Sequence, residues 1–229
     1  MIPFSLLPDP LIECDFENVY FPSDDTYLLI DYFKKSITKE LFDGIDIENI
    51  EYILDMGTGT GIIAILLQYF KSKIKTFNPK IIASDILDEA LFCAKKNELL
   101  NNFHSKIIFI QSDLFNSFPE YLKSSFNIII FNPPYLPSSS LIKENQNKMK
   151  IDHSWNGGQK GYEILIKFFQ EVKNYLNLQK PHYIYYISSS RTNLENLHKK
   201  IKEFGFKNYI LKTKHIFFED LFLNRLTAI

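Results

Sequence analysis

Short apolar runs alternate with helix-like segments along most of this 229-residue chain. The runs place hydrophobic residues at consecutive positions, as strands do when helices cover both faces of their sheet. The longer segments between them repeat hydrophobic residues at helical spacing. We predict strands over 53–54, 81–83, 107–110, 127–131 and 183–187, and helices over 62–70, 89–101, 162–176 and 193–204.

This alternation predicts an α/β fold in which a mostly parallel sheet has helices on both faces. Segments 209–211 and 221–228 are expected to form a C-terminal antiparallel hairpin, which brings the sheet to seven strands. The length suits a single domain over 1–229 and leaves little room for a second. A polar segment as long as 137–156 is unusual inside such a domain, and we interpret it as functional.

Composition and charge narrow the function classes. The net charge of −1 gives no overall basic footprint for nucleic acid, although a local basic patch remains open. Cys14 and Cys93 are too few for a disulfide framework or a four-cysteine metal site, and we expect both to stay reduced. The histidines show no metal spacing, so no metal is expected. Neither a signal peptide nor a membrane-spanning run is apparent, which favours a cytoplasmic protein.

A glycine-rich segment follows the first predicted strand. It reads Leu54-Asp55-Met56-Gly57-Thr58-Gly59-Thr60-Gly61 and leads into a predicted helix. Glycines let the backbone approach a ligand closely, and a helix N-terminus offers free N–H groups. The spacing differs from the Gly-x-Gly-x-x-Gly of dinucleotide-binding folds, and the carboxylate suits a cation such as the ammonium group of S-adenosylmethionine. We assign cofactor binding to Asp55, Gly57, Thr58, Gly59 and Gly61; the alternative is a tight turn that binds nothing.

Two further aspartates follow the next two predicted strands. Asp85 ends the second strand, where a carboxylate can accept hydrogen bonds from both ribose hydroxyls of a nucleoside. Its alternative role is to cap the following helix. Asp113 follows the third strand and can accept a hydrogen bond from an adenine amino group, unless it is a simple turn aspartate. Ile86 and Leu114, which follow these aspartates, are assigned to the same cofactor site.

Asn132-Pro133-Pro134-Tyr135 ends the fourth predicted strand, at the carboxyl edge where α/β sheets bind ligands. Two prolines prevent further strand pairing. The Asn132 side-chain oxygen and the Pro133 carbonyl can then accept both protons of a substrate NH2 group, while Tyr135 packs against a flat substrate. Orientation and electrostatic stabilisation then carry catalysis without a strong base. We assign catalysis to Asn132, Pro133 and Tyr135, substrate binding to all four residues, and cofactor contact also to Asn132; the alternative is a strand-ending turn.

Together these motifs resemble class I S-adenosylmethionine-dependent methyltransferases, and more narrowly the HemK family of release-factor glutamine methyltransferases. The resemblance extends from about Val19 to the C-terminus. Residues 20–26 are similar to the family's Tyr-x-Pro-x-Glu/Asp-Asp-Thr segment near the cofactor. The resemblance implies that Thr26 contacts the cofactor and that 1–50 completes the cofactor pocket.

A second stretch, 154–161, resembles the family's Trp-x-Gly-Gly-x-x-Gly segment. In the family this segment lines the substrate pocket, which implies substrate binding by Trp155, Gly157 and Gly158. The alternative is a loop that leads into a helix, in which the glycines only permit the turn.

The glycine-rich segment begins too early for the helical domain that precedes it in bacterial members, which favours the eukaryotic and archaeal branch. The resemblance then implies a Rossmann-like fold, S-adenosylmethionine as cofactor, and as acceptor the glutamine of the Gly-Gly-Gln motif in a class I release factor. It also implies a small zinc-binding activator subunit that pairs along an edge strand. The third predicted strand is an edge in this fold, so we expect this partner at 106–111.

Other acceptors stay open. An adenine amino group presents the same two donors as a glutamine amide, so the Asn132 motif does not separate them. An adenine methyltransferase acting on RNA is harder to exclude than one acting on DNA, because Lys143, Lys148 and Lys150 lie in the polar segment. No DNA partner is expected at this net charge. Protein lysine methylation and a non-catalytic cofactor-binding subunit are the remaining alternatives.

Overall fold

The structure, a computed structural model, describes residues 3–137 and 157–229. A small ribbon of β1 (Leu41–Phe42) and β2 (Ile45–Asp46) precedes a seven-stranded sheet. The strands of that sheet are β3 (Tyr52–Met56), β4 (Lys80–Asp85), β5 (Ile107–Gln111), β6 (Ile128–Phe131), β7 (Tyr183–Ser189), β8 (Phe206–Ile216) and β9 (Glu219–Ala228). Their order across the sheet is β5-β4-β3-β6-β7-β9-β8.

Strands β3 to β7 pair in parallel, and β9 runs antiparallel to both β7 and β8. This pairing confirms the predicted mostly parallel sheet with a C-terminal hairpin. The accompanying helices are α1 (Asp24–Ser36), α2 (Ile62–Lys73), α3 (Asp88–Leu100), α4 (Glu163–Glu171) and α5 (Leu194–Glu203). The helix predicted over 162–176 is shorter than expected, because α4 gives way to a 3-10 turn at Val172–Asn174.

Helix α1 lies outside the elements predicted from the hydrophobic pattern. Acidic residues occupy its first turn and lysines its last, which complements the helix dipole. Its buried face carries Leu29, Ile30 and Phe33. These residues belong to the same core cluster as α2 and one face of the sheet. The helix therefore attaches the N-terminal residues firmly to the sheet.

The core lies on both faces of the sheet, as strand β6 shows. Ile128 and Ile130 join the cluster that contains α1 and α2, whereas Ile129 and Phe131 join the cluster that contains α4 and α5. Alternate residues of a strand point to opposite faces, so a strand that is apolar throughout must be covered twice. The helices on both faces provide that cover.

The parallel strands end along one edge. Met56 lies beside both Ser84 and Phe131, and Asp85 lies beside Gln111. The loops after β3, β4, β5 and β6 therefore meet at this edge, where open α/β sheets bind their ligands. Strand β5 lies at one end of the sheet, as expected for the third predicted strand.

The expectation that both cysteines stay reduced is wrong for this structure, in which Cys14 and Cys93 form a disulfide. Their Cα atoms lie 5.6 Å apart because the N-terminal strap, residues 7–23, crosses helix α3. Polar side chains of α3 hold the strap beside the disulfide. Asn97 Oδ1 accepts from the backbone N–H of Glu13 at 2.9 Å, and Asn101 Oδ1 accepts from that of Leu11 at 2.9 Å.

No helix within 3–137 and 157–229 combines the length and the apolar character that crossing a bilayer requires.

Candidate functional site

A cavity of about 510 Å³ opens at the carboxyl edge of the sheet, within the size range of small-molecule sites. The loops after β3 to β6, the N-terminal strap and helices α1 and α4 form its walls. Many of the predicted site residues line it: Thr26, Asp55, Gly57, Thr58, Gly59, Asp85, Ile86, Asp113, Leu114, Asn132 and Pro134. The structure thus brings together residues from five separate segments of the chain.

The glycine-rich loop turns sharply between β3 and α2. Gly61 is the N-cap of α2 with a φ of 83°, a left-handed conformation that side chains disfavour. A Cβ on Gly61 would also lie 2.8 Å from the Cβ of Ala94 in α3. Gly61 itself does not line the cavity, so its role in the structure is to let α2 and α3 approach each other behind the loop.

Asp55 holds this loop from inside. Its Oδ2 accepts from the Thr58 hydroxyl at 2.6 Å and from the Ala64 backbone N–H at 3.2 Å. Burial raises the pKa of Asp55 to about 7, the nearby charge of Asp85 adds to the rise, and the two hydrogen bonds oppose it. The side chain therefore titrates near neutral pH, and a cation in the cavity would favour its ionised form.

Asp85 connects the loops after β3 and β4. Its Oδ2 accepts from the Gly59 N–H at 2.9 Å, and its Oδ1 accepts from the Leu87 N–H at 3.0 Å. Leu87 is the N-cap of α3 and no side chain caps that helix, so Asp85 closes a turn rather than capping. Burial raises the pKa of Asp85, and the backbone hydrogen bonds oppose that rise. Each oxygen keeps a lone pair for a ligand hydroxyl.

Apolar and polar groups share the outer part of the cavity. Ile86 is 59% exposed although it is a large hydrophobic residue. Leu114 adopts a positive φ of 48°, which turns the chain immediately after Asp113. Ile164 and Lys167 of α4 also line the cavity. An exposed isoleucine at a cavity mouth is a suitable surface for a flat apolar ring such as adenine.

Asn132 lines the cavity directly after β6. Its Nδ2 donates to the hydroxyl of Thr26 at 3.3 Å. Its Oδ1 is buried and has no hydrogen-bond partner among the described residues. Pro134 lines the cavity beside it, whereas Pro133 is buried and does not. An unsatisfied buried acceptor costs roughly 1–3 kcal/mol, so this oxygen is poised for a donor brought by a ligand.

Tyr135 occupies a different place from the substrate-facing one expected. It is buried, does not line the cavity, and donates its hydroxyl to Asp25 Oδ2 at 3.1 Å. Its backbone carbonyl accepts from the Thr192 hydroxyl at 3.0 Å. Burial, together with the charge of Asp25, raises the pKa of Tyr135, so its hydroxyl remains a donor. In this structure Tyr135 anchors the Asn132 segment to α1.

The glycines after the polar segment pack behind the same motif. A Cβ on Gly157 would lie 2.8 Å from the Pro134 carbonyl oxygen, and one on Gly161 would lie 2.6 Å from the Tyr135 carbonyl oxygen. The Gly157 N–H donates to the Leu136 carbonyl at 2.9 Å. Neither Gly157 nor Gly158 lines the cavity. Gly157 packs against the motif, whereas a Cβ on Gly158 would meet the side chain of Glu163. Trp155 lies outside the described residues.

Several residues of the site have no signal in the motifs. Asn18 and Val19 of the strap, Ile63 of α2, and Ile164 and Lys167 of α4 line the cavity. Asp25 is buried beneath it and touches the Asn132 motif through Tyr135. Asp25 does lie within the segment 20–26 that resembles a family motif, although the motif did not indicate its contact with Tyr135. Within the described residues, no cluster of three or more metal-ligating side chains is present.

The comparisons with known proteins agree with this arrangement. The family model for the methyltransferase small domain matches residues 34–152. A putative protein N5-glutamine methyltransferase of Methanocaldococcus jannaschii is 34% identical over 204 residues, covering 89% of this chain and 89% of the relative. The eRF1 methyltransferase catalytic subunit of Schizosaccharomyces pombe is 26% identical, covering 87% and 85%. Human methyltransferase HEMK2 is 24% identical, covering 78% and 74%.

Among solved structures, that of the E. cuniculi Mtq2–Trm112 complex, described as responsible for methylating the eRF1 translation termination factor, has a similar fold. Its TM-score is 0.62 at 21% identity, covering 93% of this chain and 99% of that chain. The class defined by fold and cavity is a Rossmann-like methyltransferase. The chain belongs to the methyltransferase small domain family, and its relatives confirm the resemblance to HemK-type enzymes.

Proposed function

We propose that this chain is an S-adenosylmethionine-dependent protein glutamine N-methyltransferase whose acceptor is the Gly-Gly-Gln glutamine of a class I release factor. The observation that carries the proposal is the buried Oδ1 of Asn132 in the cavity wall, which has no hydrogen-bond partner within 3–137 and 157–229. A side-chain amide NH2 is the kind of donor that such an oxygen lacks. The names of the relatives support glutamine as its source.

The cavity suits the proposed cofactor. S-adenosylmethionine supplies an activated methyl group when bound. Asp55, whose pKa burial raises to about 7, would face its cationic methionine portion. Asp85 keeps lone pairs for the ribose hydroxyls, and Asp113 and the exposed Ile86 suit adenine. Thr26, Thr58 and the glycine-rich loop complete the proposed contacts.

The chemistry then rests on orientation by the chain's own groups. Asn132 Oδ1 and the Pro133 carbonyl would each accept one N–H of the glutamine amide, which turns the nitrogen lone pair towards the methyl donor. The same acceptors stabilise the positive charge that develops on nitrogen during transfer. The nitrogen loses a proton afterwards, so no strong base is needed. Trp155, Gly157 and Gly158 would contribute to the substrate side, directly or by supporting Pro134 and Tyr135.

A lysine acceptor fits less well, because its ammonium group must lose a proton before attack. The cavity-lining carboxylates of Asp55 and Asp85 and the buried carboxylate of Asp25 already accept hydrogen bonds from the chain itself. Adenine remains the second candidate on chemical grounds, since its amino group offers the same two donors. The net charge of −1 and the names of the relatives favour protein.

We also propose a small zinc-binding activator subunit along β5, at 106–111. Strand β5 is an end strand of the sheet, and Ile108 on it is 44% exposed. An end strand has unpaired backbone groups that a partner strand can satisfy. The structural neighbour was solved as a complex of Mtq2 with Trm112. We place this assembly in the cytoplasm, with 1–229 acting as one methyltransferase domain.

A substrate panel tests the proposal. The chain, with and without the candidate activator, is incubated with labelled cofactor and either release factor, tRNA, rRNA or DNA. We expect label on release factor alone, mapped by mass spectrometry to the Gly-Gly-Gln glutamine. A release factor in which that glutamine is changed to glutamate has the same size but no NH2 group and should stay unlabelled. Label on nucleic acid alone would overturn the glutamine assignment, and full activity without a partner would overturn the activator.

A further inference from the structure

The amide of Asn132 has two chemically opposite ends, and only one of them suits an NH2 acceptor. With Nδ2 turned into the cavity, two donors would face each other and the substrate nitrogen would find no acceptor. With Oδ1 turned inward, the substrate can donate. Something in the chain must therefore hold the amide in the second orientation, because rotation about the terminal side-chain bond interchanges the two ends.

Thr26 is the group that contacts the other end. The Nδ2 of Asn132 lies 3.3 Å from the Thr26 Oγ1, while no residue that the structure describes donates to Oδ1. A hydroxyl can donate or accept, so Thr26 alone would tolerate either orientation of the amide. The choice depends on where the hydroxyl proton of Thr26 points.

Asp25 settles the direction of that proton. The Thr26 hydroxyl donates to Asp25 Oδ1 at 3.1 Å. A hydroxyl has one proton, so only its lone pairs remain for Asn132, and these match Nδ2 and repel Oδ1. The carboxylate thus selects the orientation of an amide that it does not touch.

The carboxylate of Asp25 is itself fixed by its surroundings. Asp25 is 3% exposed and accepts from the Tyr20 hydroxyl at 2.7 Å and the Tyr135 hydroxyl at 3.1 Å. The Thr26 N–H also donates to it at 2.6 Å. Burial, together with the charge of Asp25, raises the pKa of both tyrosines, which therefore remain donors. These hydrogen bonds hold the Asp25 carboxylate in place beside Thr26.

We propose that Asp25 and Thr26 are positioning residues that fix the amide of Asn132 with its oxygen towards the substrate. This inference rests on the proposed function in one respect, namely that Asn132 Oδ1 receives the acceptor group. It gives Thr26 a positioning role in addition to the cofactor contact proposed above. It also explains why an aspartate and a threonine stand side by side beneath the cavity.

A matched pair of variants tests the relay. Thr26→Val keeps the shape of the side chain and removes the hydroxyl, whereas Thr26→Ser keeps the hydroxyl. With any accepted substrate and saturating cofactor, we expect Thr26→Val to lower kcat by roughly tenfold to a hundredfold, because misplaced reacting groups lose rates of this size. Thr26→Ser should restore most of kcat. The deciding quantity is kcat at saturating cofactor, because losing the cofactor contact proposed for Thr26 acts on the cofactor KM.

Two kinetic outcomes would overturn the relay. Equal kcat values in the valine and serine variants would show that the hydroxyl has no positioning role. A raised cofactor KM with unchanged kcat would show that Thr26 acts by binding the cofactor. Thermal unfolding of both variants checks that they fold, and Thr26→Ala replaces the valine variant if that one does not.

A spectroscopic measurement separates this inference from the proposed function. The side-chain NH2 signals of Asn132 in the full chain are identified by their loss in Asn132→Asp. We expect these signals to shift in Thr26→Val and to stay close to wild type in Thr26→Ser. Unshifted signals in the valine variant would contradict the relay whatever the substrate is. Shifted signals in a chain that labels no release factor would support the relay and reject the proposed function.

Discussion

On the cavity wall built from β3 and β4, the carboxylates of Asp55 and Asp85 accept hydrogen bonds from the chain's own loops. On the wall built from β6, the side-chain oxygen of Asn132 is buried and accepts no hydrogen bond from the part of the chain that the structure describes. The carboxylates of the first wall are hydrogen-bonded to the chain without a ligand, so they order the glycine-rich loop before a ligand binds. The second wall carries an unsatisfied acceptor and is completed only by a donor from outside. This difference separates the residues that order the loops from the one that we propose accepts a hydrogen bond from the substrate.

The largest effect, on kcat, is expected from substitution of Asn132 in the wall built from β6. We expect Asn132→Ala to lower kcat by roughly a hundredfold or more, in line with the loss of one preorganised polar group in other active sites. Cofactor affinity measured by calorimetry should stay within a few-fold of wild type. Asn196→Ala, at an exposed position on α5, is the matched control. Normal turnover in Asn132→Ala would remove the distinction between the two walls.

A smaller effect, on cofactor affinity, is expected from substitution in the wall that contains Asp55 and Asp85. Asp85→Ala removes the acceptor for the Gly59 and Leu87 N–H groups and for the proposed ribose hydroxyls. We expect cofactor affinity to fall by roughly tenfold to a hundredfold, since charge-assisted hydrogen bonds contribute about 1.5–3 kcal/mol each. At saturating cofactor kcat should largely recover. Unchanged affinity in calorimetry would reject the ribose assignment and leave Asp85 as a loop-closing residue.

The smallest effect is a pH dependence on the same wall. Burial raises the pKa of Asp55 to about 7, so below that pH the side chain is mostly neutral. A cationic cofactor favours the ionised form, and we therefore expect its affinity to fall by up to about tenfold per pH unit below 7. Calorimetry between pH 6 and pH 8 measures this slope. Asp55→Asn should bind the cofactor more weakly at pH 8, and its affinity should no longer depend on pH. If the variant keeps the pH dependence, a group other than Asp55 titrates.

The free chain should show the opposite trend in stability. Folded Asp55 keeps its proton up to about pH 7, whereas an unfolded aspartate loses it near pH 4. The unfolding free energy contributed by Asp55 is therefore full below about pH 4 and falls as pH rises towards 7. Asp55→Asn should remove this contribution to the pH dependence of thermal unfolding. Such a result would show that the first wall is ordered at some cost in stability.

Local patterns predicted the elements that bear the site. Apolar runs identified the strands, and Gly57, Asp85 and Asn132 stood at strand ends where the structure also places them. Each of these signals is contained within a few consecutive residues of the chain. Helix α1 escaped prediction, although its first turn carries Asp25 and Thr26 to the site.

Features that depend on distant pairs could not be predicted from local pattern. Asp25 and Tyr135 are 110 residues apart, and Cys14 and Cys93 are 79 apart. Both contacts depend on the paths that the strap and α1 take through space. A pattern of strands and helices along the sequence does not predict those paths. Gly157 was expected to line the substrate pocket because of its motif, yet its close neighbour is the Pro134 carbonyl. A glycine that packs behind the cavity and a glycine that lines it give the same sequence motif.

The hydrogen bond from the Gly157 N–H to the Leu136 carbonyl has a consequence for how the family can vary. It brings the two boundaries of the segment 138–156 together at one point beside the Asn132 motif. A chain that leaves and re-enters a fold at one point can be lengthened at low cost, since doubling a loop adds only about 0.6 kcal/mol of closure entropy. Insertions and replacements there need not disturb β6 or α4. We therefore expect insertions between residues 137 and 157 to leave the Asn132 motif in place.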